Sequence, residues 1–167
     1  MTPLRVRVGL IAVGLGLLLG CSEEAGPEDA APGEDVAGEQ EVGVRPSTDD
    51  LVPADTAPPE ELVIDDLLVG QGPAAAPGDV LVVHYVGVRW SDGEQFDASW
   101  DREQPLEFAL GAGRVIAGWE QGLEGMQVGG RRVLTIPPGL AYGDRGSPPV
   151  IDPGETLVFV VDLVEIS

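Results

Sequence analysis

The chain has 167 residues and is strongly acidic, with 29 Asp and Glu against nine basic residues and a formal net charge of −20. Because a polyanion is repelled by phosphate backbones and anionic lipid headgroups, this balance argues against nucleic-acid binding and against a membrane contact made by the protein surface. The 24 glycines and 15 prolines cluster unevenly, which predicts a chain that is part disordered and part compact. The single cysteine excludes an intramolecular disulfide.

Residues 1–20 are predicted to be a lipoprotein signal peptide. Arg5 and Arg7 form a basic start, and residues 8–19 form an apolar segment that is short for a membrane-spanning helix. The segment ends in Leu-Leu-Gly-Cys, which resembles the bacterial lipobox, whose cysteine accepts a lipid and becomes the new N-terminus. We therefore predict lipidation at Cys21, with an ordinary secretory signal or an uncleaved anchor as alternatives. The expected location is extracytoplasmic, at the outer face of a bacterial cell membrane, held there by the lipid anchor only.

Residues 21–61 are predicted to form a disordered acidic linker that begins with the lipidated cysteine. From Glu23 to Glu61 there are thirteen acidic residues against Arg45 alone, and no aromatic residue. Such a segment cannot bury enough apolar surface to offset the entropy lost on ordering it. The acids do not show EF-hand spacing, so a solvated spacer is the preferred interpretation.

From residue 62 onwards, apolar runs separated by turn signals predict one compact domain over 62–167. These runs predict a strand pair or one bent strand at 62–69 and further strands at 80–90, from 96, at 105–110, 131–137 and 156–166. Ile116, Trp119 and Leu123 recur with helical spacing and predict a short helix over 115–123, although two glycines weaken it. The pattern indicates an α+β fold of antiparallel strands with one short helix.

Two residues of this domain could belong either to the core or to a site. Trp119 on the apolar helix face suits core packing or the floor of a pocket, and the residue alone favours the core. His84 lies on the strand face opposite to Tyr85, and no recognisable motif gives it a catalytic or ligating partner. A structural role is therefore preferred for His84.

A series of short motifs runs through the domain: VVHYVG at 82–87, DG at 92–93, FDAS at 96–99, VIAGW at 115–119, QVGG at 127–130, IPP at 136–138, AYG at 141–143 and LVF at 157–159. Each motif is weak evidence alone, but the ordered set resembles the FKBP-type peptidyl-prolyl cis–trans isomerases. The resemblance covers about residues 62–167. It implies a five- or six-stranded antiparallel sheet curled around one short helix.

The resemblance also implies an activity and a pocket. Rotation about an X–Pro bond breaks no covalent bond, so neither a metal nor a cofactor is implied. The implied catalytic groups are Asp97, Tyr142 and the backbone N–H of Ile116, with Arg102 as the partner of Asp97. Trp119 is implied as the floor beneath the proline ring, and the other implied substrate-binding residues are Tyr85, Phe96, Phe108, Val115, Val150, Ile151 and Phe159.

The implied partners are X–Pro segments of exported polypeptides, whose slow isomerisation outlasts most folding events, and macrolide inhibitors. Leu106 replaces an aromatic residue that is common at its position in the family, and Ser147 stands where many members carry an aromatic residue or His. Both departures bear on substrate preference and macrolide affinity more than on catalysis. The alternative function is a proline-directed binding module or holdase with little turnover. A third interpretation is an acidic cell-surface spacer whose domain is merely structural.

Overall fold

The computed structural model describes residues 42–49, 51–53 and 56–167. The predicted signal peptide, Cys21 and about half of the predicted linker lie outside these described residues. Within the described ranges, no helix is both long enough and apolar enough to cross a membrane.

In the part of the chain that the structure describes, six antiparallel strands and one α-helix form the domain. In chain order they are β1 (Val63–Leu68), β2 (Val80–Arg89), β3 (Gln95–Ala98), β4 (Leu106–Ala109), α1 (Ala117–Gly122), β5 (Arg131–Ile136) and β6 (Leu157–Ile166). The strands pair in the order β1-β5-β6-β2-β3, and β4 pairs with the first half of β2. The predicted α+β fold is therefore confirmed, and the run 62–69 forms one strand.

The two longest strands, β2 and β6, form the centre of the sheet. They pair along their whole length, from Leu81 opposite Ile166 to Arg89 opposite Leu157. Both are rich in valine, whose branched side chain packs well on a pleated surface. Because successive side chains alternate between the two faces, each strand contributes to two separate buried layers.

One face of the sheet packs against α1 and forms the main core. Its buried side chains come from β2, β4, β5 and β6 and surround those of α1 and the turn after it; they include Leu81, Val83, Tyr85, Phe108, Leu134, Ile136, Phe159, Val161, Trp119, Leu123 and Met126. The helix is shorter than the predicted 115–123. Ile116 is extended, with ψ of 150°, and immediately precedes the first helical residue, while Leu123 ends the helix.

The two glycines of α1 allow the helix to approach β5 closely. A Cβ atom placed on Gly122 would lie 2.6 Å from Cδ2 of Leu134, and one placed on Gly118 would overlap the side chain of Ile136. Each glycine costs about 1 kcal/mol of helix stability relative to alanine. Packing against the sheet therefore holds this short helix in place.

The opposite face of the sheet carries a second apolar layer. Val86 and Val88 of β2 lie beside Val160 and Val158 of β6, and all four are at most 1% exposed although they point away from α1. Residues 42–49, 51–53 and 56–61, which we call the N-terminal strap, lie on this face. Side chains of the strap and of the sheet line shared grooves here, among them Leu51, Pro53, Pro59, Trp90 and Val133.

Hydrogen bonds attach the strap to the sheet, mainly through its backbone. The N–H of Gly43 donates to Oδ2 of Asp162 (3.2 Å), and Nη2 of Arg131 donates to the carbonyl of Val44 (2.6 Å). Nε1 of Trp90 donates to the carbonyl of Thr56 (3.4 Å). The described part of the predicted linker is thus in contact with the domain, while the boundary at residue 61 stays a prediction.

A buried ion pair lies beneath the strap. Arg131 on β5 and Asp162 on β6 are directly opposite in the sheet, and their side chains are 3% and 2% exposed. The guanidinium donates twice, from Nε to Oδ1 (2.6 Å) and from Nη2 to Oδ2 (2.7 Å). Removal of either partner would leave the other charge buried without a counter-charge, which strongly destabilises a folded protein.

We expect Asp162→Asn to lower the free energy of unfolding by about 3 kcal/mol, because a buried guanidinium loses its counter-charge. The measurement is urea unfolding of the full chain, followed by circular dichroism. Asp101→Asn is the matched control, since Asp101 pairs with Arg45 at 2.6 Å but both side chains are about half exposed. A similar, small change in both variants would contradict a dependence on the buried pair.

Candidate active site

A cavity of about 350 Å³ opens on the α1 face of the sheet. Its walls come from β2, β3, β4 and β6, from the segment that leads into α1 and from the loop after β5. The lining residues are Tyr85, Phe96, Asp97, Leu106, Arg114, Val115, Ile116, Trp119, Tyr142 and Phe159. Most are apolar or aromatic, so the cavity suits an apolar ring-shaped group.

Trp119 lies at the centre of an aromatic cluster. Its ring meets Tyr85 and Phe159 edge to face, with centroids 5.1 Å and 5.3 Å apart, and Phe108 lies at 5.7 Å. Phe96 meets Phe159 edge to face at 5.5 Å. Such edge-to-face pairs are favourable beyond the area they bury. With only 2% of its surface exposed, Trp119 belongs both to the core and to the lining of the cavity.

Three polar side chains form a closed triangle at the wall. The hydroxyl of Tyr85 donates to Oδ2 of Asp97 (2.5 Å), while Arg102 donates from Nη1 to Oδ1 of Asp97 (2.5 Å) and from Nη2 to the Tyr85 oxygen (2.8 Å). Because Arg102 and Asp97 are 50% and 40% exposed, the ion pair adds little to stability. The triangle instead fixes the orientation of the Asp97 carboxylate at the edge of the cavity.

The pKa of Tyr85 is raised from 10.0 to about 12, and burial is the largest cause. The hydrogen bond to the Asp97 carboxylate contributes to this rise, and the hydrogen bond from Arg102 opposes it. Tyr85 is therefore protonated throughout the neutral range. The protonated phenol donates to Asp97 and accepts from Arg102, and it does not act as a base.

Two of the hydrogen-bond donors at the cavity that have no acceptor among the described residues could reach a bound ligand through the mouth. The N–H of Ile116 is one, because the extended backbone of this residue places it ahead of the helical hydrogen-bond pattern. The hydroxyl of Tyr142 is the other, on a side chain that is 41% exposed. Both donors are available to an acceptor group of a bound ligand.

Known proteins resemble this chain in sequence and in structure. The family model for FKBP-type peptidyl-prolyl cis-trans isomerases matches residues 72–164. The chain belongs to this family. An FK506-binding protein of Streptomyces anulatus is 60% identical over 110 residues, which span 65% of this chain and 89% of the relative. The FK506-binding protein of Neisseria meningitidis is 48% identical over 106 residues, which span 63% of this chain and 95% of the relative.

Solved FKBP structures share the fold of the domain. The crystal structure of AtFKBP13 superposes with a TM-score of 0.60 at 40% identity, covering 64% of this chain and 93% of that one. FkpA from Escherichia coli gives a TM-score of 0.58 at 43% identity, covering 64% of this chain and 48% of FkpA. The chain is accordingly an FKBP-type peptidyl-prolyl cis–trans isomerase.

The cavity of this FKBP domain brings together most of the residues that the sequence nominated. Eight of them line it, namely Tyr85, Phe96, Asp97, Val115, Ile116, Trp119, Tyr142 and Phe159. Phe108, Val150 and Ile151 do not. Phe108 is buried in contact with Trp119, and Ile151 is buried in the core. Val150 is exposed, and its carbonyl accepts a hydrogen bond from Arg89. The individual roles of these residues stay predictions.

The cavity also contains a residue that the sequence reasoning missed. Arg114 immediately precedes the VIAGW motif, and that position was the only signal that could have indicated it. His84, by contrast, lies outside the cavity. Its Nδ1 shares a hydrogen bond with Oγ of Ser99 (2.9 Å), and its ring stacks on Trp100 at 4.2 Å. These contacts fit the structural role preferred for His84.

We expect the Tyr85 phenol of this FKBP domain to resist ionisation. In a Tyr142→Phe variant, which leaves Tyr85 as the single tyrosine, about one-tenth of the phenol should be ionised at pH 11, against about nine-tenths for an unperturbed tyrosine. Absorbance at 295 nm measures this fraction. Because the folded protein holds the proton more tightly than the unfolded chain, stability should be complete below pH 10 and fall as the pH rises towards about 12.

Asp97→Asn in the same background should lower the pKa of Tyr85, since Asp97 is one cause of its rise. A pKa near 10 in the parent, or no response to Asp97→Asn, would contradict this account of the triangle.

Proposed function

We propose that this isomerase acts on X–Pro bonds of exported polypeptides, and that the cavity over Trp119 is its active site. The observation that carries the proposal is the pairing of an apolar, aromatic cavity with two unused donors, the Ile116 N–H and the Tyr142 hydroxyl. This is the arrangement that a proline ring flanked by two backbone carbonyls requires. The anchoring of the protein outside the cytoplasm is a separate part of the proposal.

The chemistry is a rotation that is opposed by amide resonance. The barrier is about 18–20 kcal/mol, and X–Pro is the bond for which both isomers are well populated. Resonance places positive charge on nitrogen and negative charge on oxygen in the planar form, and the twisted form loses this separation. A cavity that excludes water therefore favours the twisted form relative to bulk solvent.

The residues of the cavity have distinct roles in this proposal. Trp119 supports the proline ring, with Tyr85, Phe96 and Phe159 as walls. The Ile116 N–H and the Tyr142 hydroxyl donate to backbone carbonyls of the substrate. The Asp97 carboxylate, fixed by Tyr85 and Arg102, lies where it can interact with the rotating carbonyl. A thousandfold acceleration needs only about 4 kcal/mol of preference for the twisted form.

We expect Tyr142→Phe to lower kcat/KM about fivefold, which corresponds to about 1 kcal/mol for one lost hydrogen bond. The measurement is NMR exchange between cis and trans X–Pro tetrapeptides with the full chain purified in detergent. Folding should be unchanged, because the hydroxyl has no partner among the described residues. FK506, the ligand in the names of the relatives, should compete for the cavity.

Trp90→Phe is the matched control, since Trp90 is an aromatic residue in contact with the strap, on the side of the sheet away from the cavity. It should retain parental turnover and sensitivity to FK506. Parental activity in Tyr142→Phe would refute the donor role, and a lack of turnover in the parent itself would refute the active site.

The anchor proposal rests on the sequence of residues 1–61. A basic start, a short apolar segment and Leu-Leu-Gly-Cys support cleavage before Cys21 and lipidation of its sulfur. Two or more acyl chains hold a protein stably at a membrane, whereas one chain is marginal. The strongly negative charge supports attachment by lipid rather than by the protein surface.

We expect Cys21→Ser to abolish incorporation of labelled palmitate and to move the protein out of the membrane fraction of a bacterial host. Ser22→Ala is the control, since it changes the neighbouring residue and keeps the cysteine. Palmitate labelling that persists in Cys21→Ser would show that lipidation occurs elsewhere or that the label is nonspecific.

A further inference from the structure

Arg114 is a charged residue in a cavity that is otherwise apolar or internally neutralised. It lines the cavity beside Val115 and is exposed. Among the described residues, no hydrogen bond or ion pair engages its guanidinium. The other charge in the lining, Asp97, is already engaged by Tyr85 and Arg102. Among the described residues that line the cavity, Arg114 is therefore the positively charged side chain that is available to a ligand.

The backbone that carries Arg114 is held in place by a neighbouring acid. The carboxylate of Glu120 on α1 accepts hydrogen bonds from the N–H of Gly113 (2.9 Å) and from the N–H of Gly111. Both glycines have positive φ, 65° and 80°, so the turn has a conformation that other residues rarely adopt. Glu120 is thus used by the turn and does not form an ion pair with Arg114, whose position follows from a fixed loop.

The position of Arg114 relates it to the substrate. It precedes Ile116, whose N–H is proposed to bind a substrate carbonyl, by only two residues. A peptide whose proline ring lies on Trp119 therefore brings its flanking side chains to the part of the rim where Arg114 lies. A carboxylate there would meet a free guanidinium, and an ammonium group would meet a like charge.

We infer that Arg114 is a specificity-determining residue that favours X–Pro segments with an acidic side chain next to the proline. The inference rests on the proposed function of the cavity. The expected attraction between Arg114 and an acidic side chain acts only at short range. At long range the domain repels acidic peptides, since residues 62–167 carry 16 acidic residues against six arginines. At physiological ionic strength that repulsion is screened beyond about 8 Å, whereas a contact in the cavity is screened less.

The test compares tetrapeptides that carry Glu, Gln or Lys immediately before proline, and a second series with the same residues immediately after it. NMR exchange with the full chain in detergent gives kcat/KM for each peptide. In at least one series, the parent should prefer Glu over Gln about two- to fivefold, the size of a partly exposed ion pair. Salt at about 1 M, where the Debye length is about 3 Å, should bring the ratio close to one.

Variants separate the contact from general charge effects. Arg114→Gln should abolish the Glu-over-Gln preference, and Arg114→Glu should reverse it in favour of Lys. Arg145→Gln is the matched control: Arg145 is also exposed, has no ion pair or hydrogen bond among the described residues and does not line the cavity. It removes the same charge and should leave the preference intact.

Each outcome has a distinct meaning. Turnover with equal Glu-to-Gln ratios in the parent and in Arg114→Gln would overturn this inference while leaving the isomerase site in place. An equal loss of preference in Arg145→Gln would also overturn it, because the effect would then belong to the overall field. No turnover of any peptide would overturn the proposed site together with the inference.

Discussion

The contact between α1 and β5 sets the geometry of the site. Gly118 and Gly122 allow this contact, since a side chain at either position would collide with Ile136 or Leu134. The helix is thereby close enough to the sheet for Trp119 to fill the space between Tyr85 and Phe159. A lengthening of that distance would leave a gap beneath the indole ring, and the cavity would lose its floor. Residues that weaken the helix in isolation are thus the ones that make the site possible.

Hydrogen bonds fix the polar groups at the edge of the cavity. The pKa of Tyr85 is raised to about 12, so its phenol stays protonated well above neutral pH and donates to Asp97. Asp97 is held from the other side by Arg102. No group in the cavity has to gain or lose a proton for an amide to rotate. In the proposed mechanism the site acts by excluding water and by directing a few dipoles, which is consistent with a reaction that breaks no bond.

The sequence was most informative where one periodicity dominates. The valine-rich patterns of β2 and β6 predicted both strands to within one residue, and the ordered motifs identified the FKBP fold. The helix was predicted too long because Val115 and Ile116 continue its apolar spacing, although their backbone is not helical. The strap could not be recognised in the acidic composition of 21–61, since several of its hydrogen bonds use backbone groups such as the carbonyls of Val44 and Thr56, which any residue carries. Arg114 and the Arg131–Asp162 pair depend on contacts that only the folded chain brings together.

The position of the strap determines where the chain enters the domain. Gly43 bonds to Asp162 on the face of the sheet that points away from α1, and the cavity opens on the other face. A force applied at Gly43 would therefore act first on Asp162, on the face of the sheet away from the cavity. No residue of the strap lines the cavity. A long, unfolded polypeptide bound in the cavity would consequently contact the sheet and the loops around it rather than the strap.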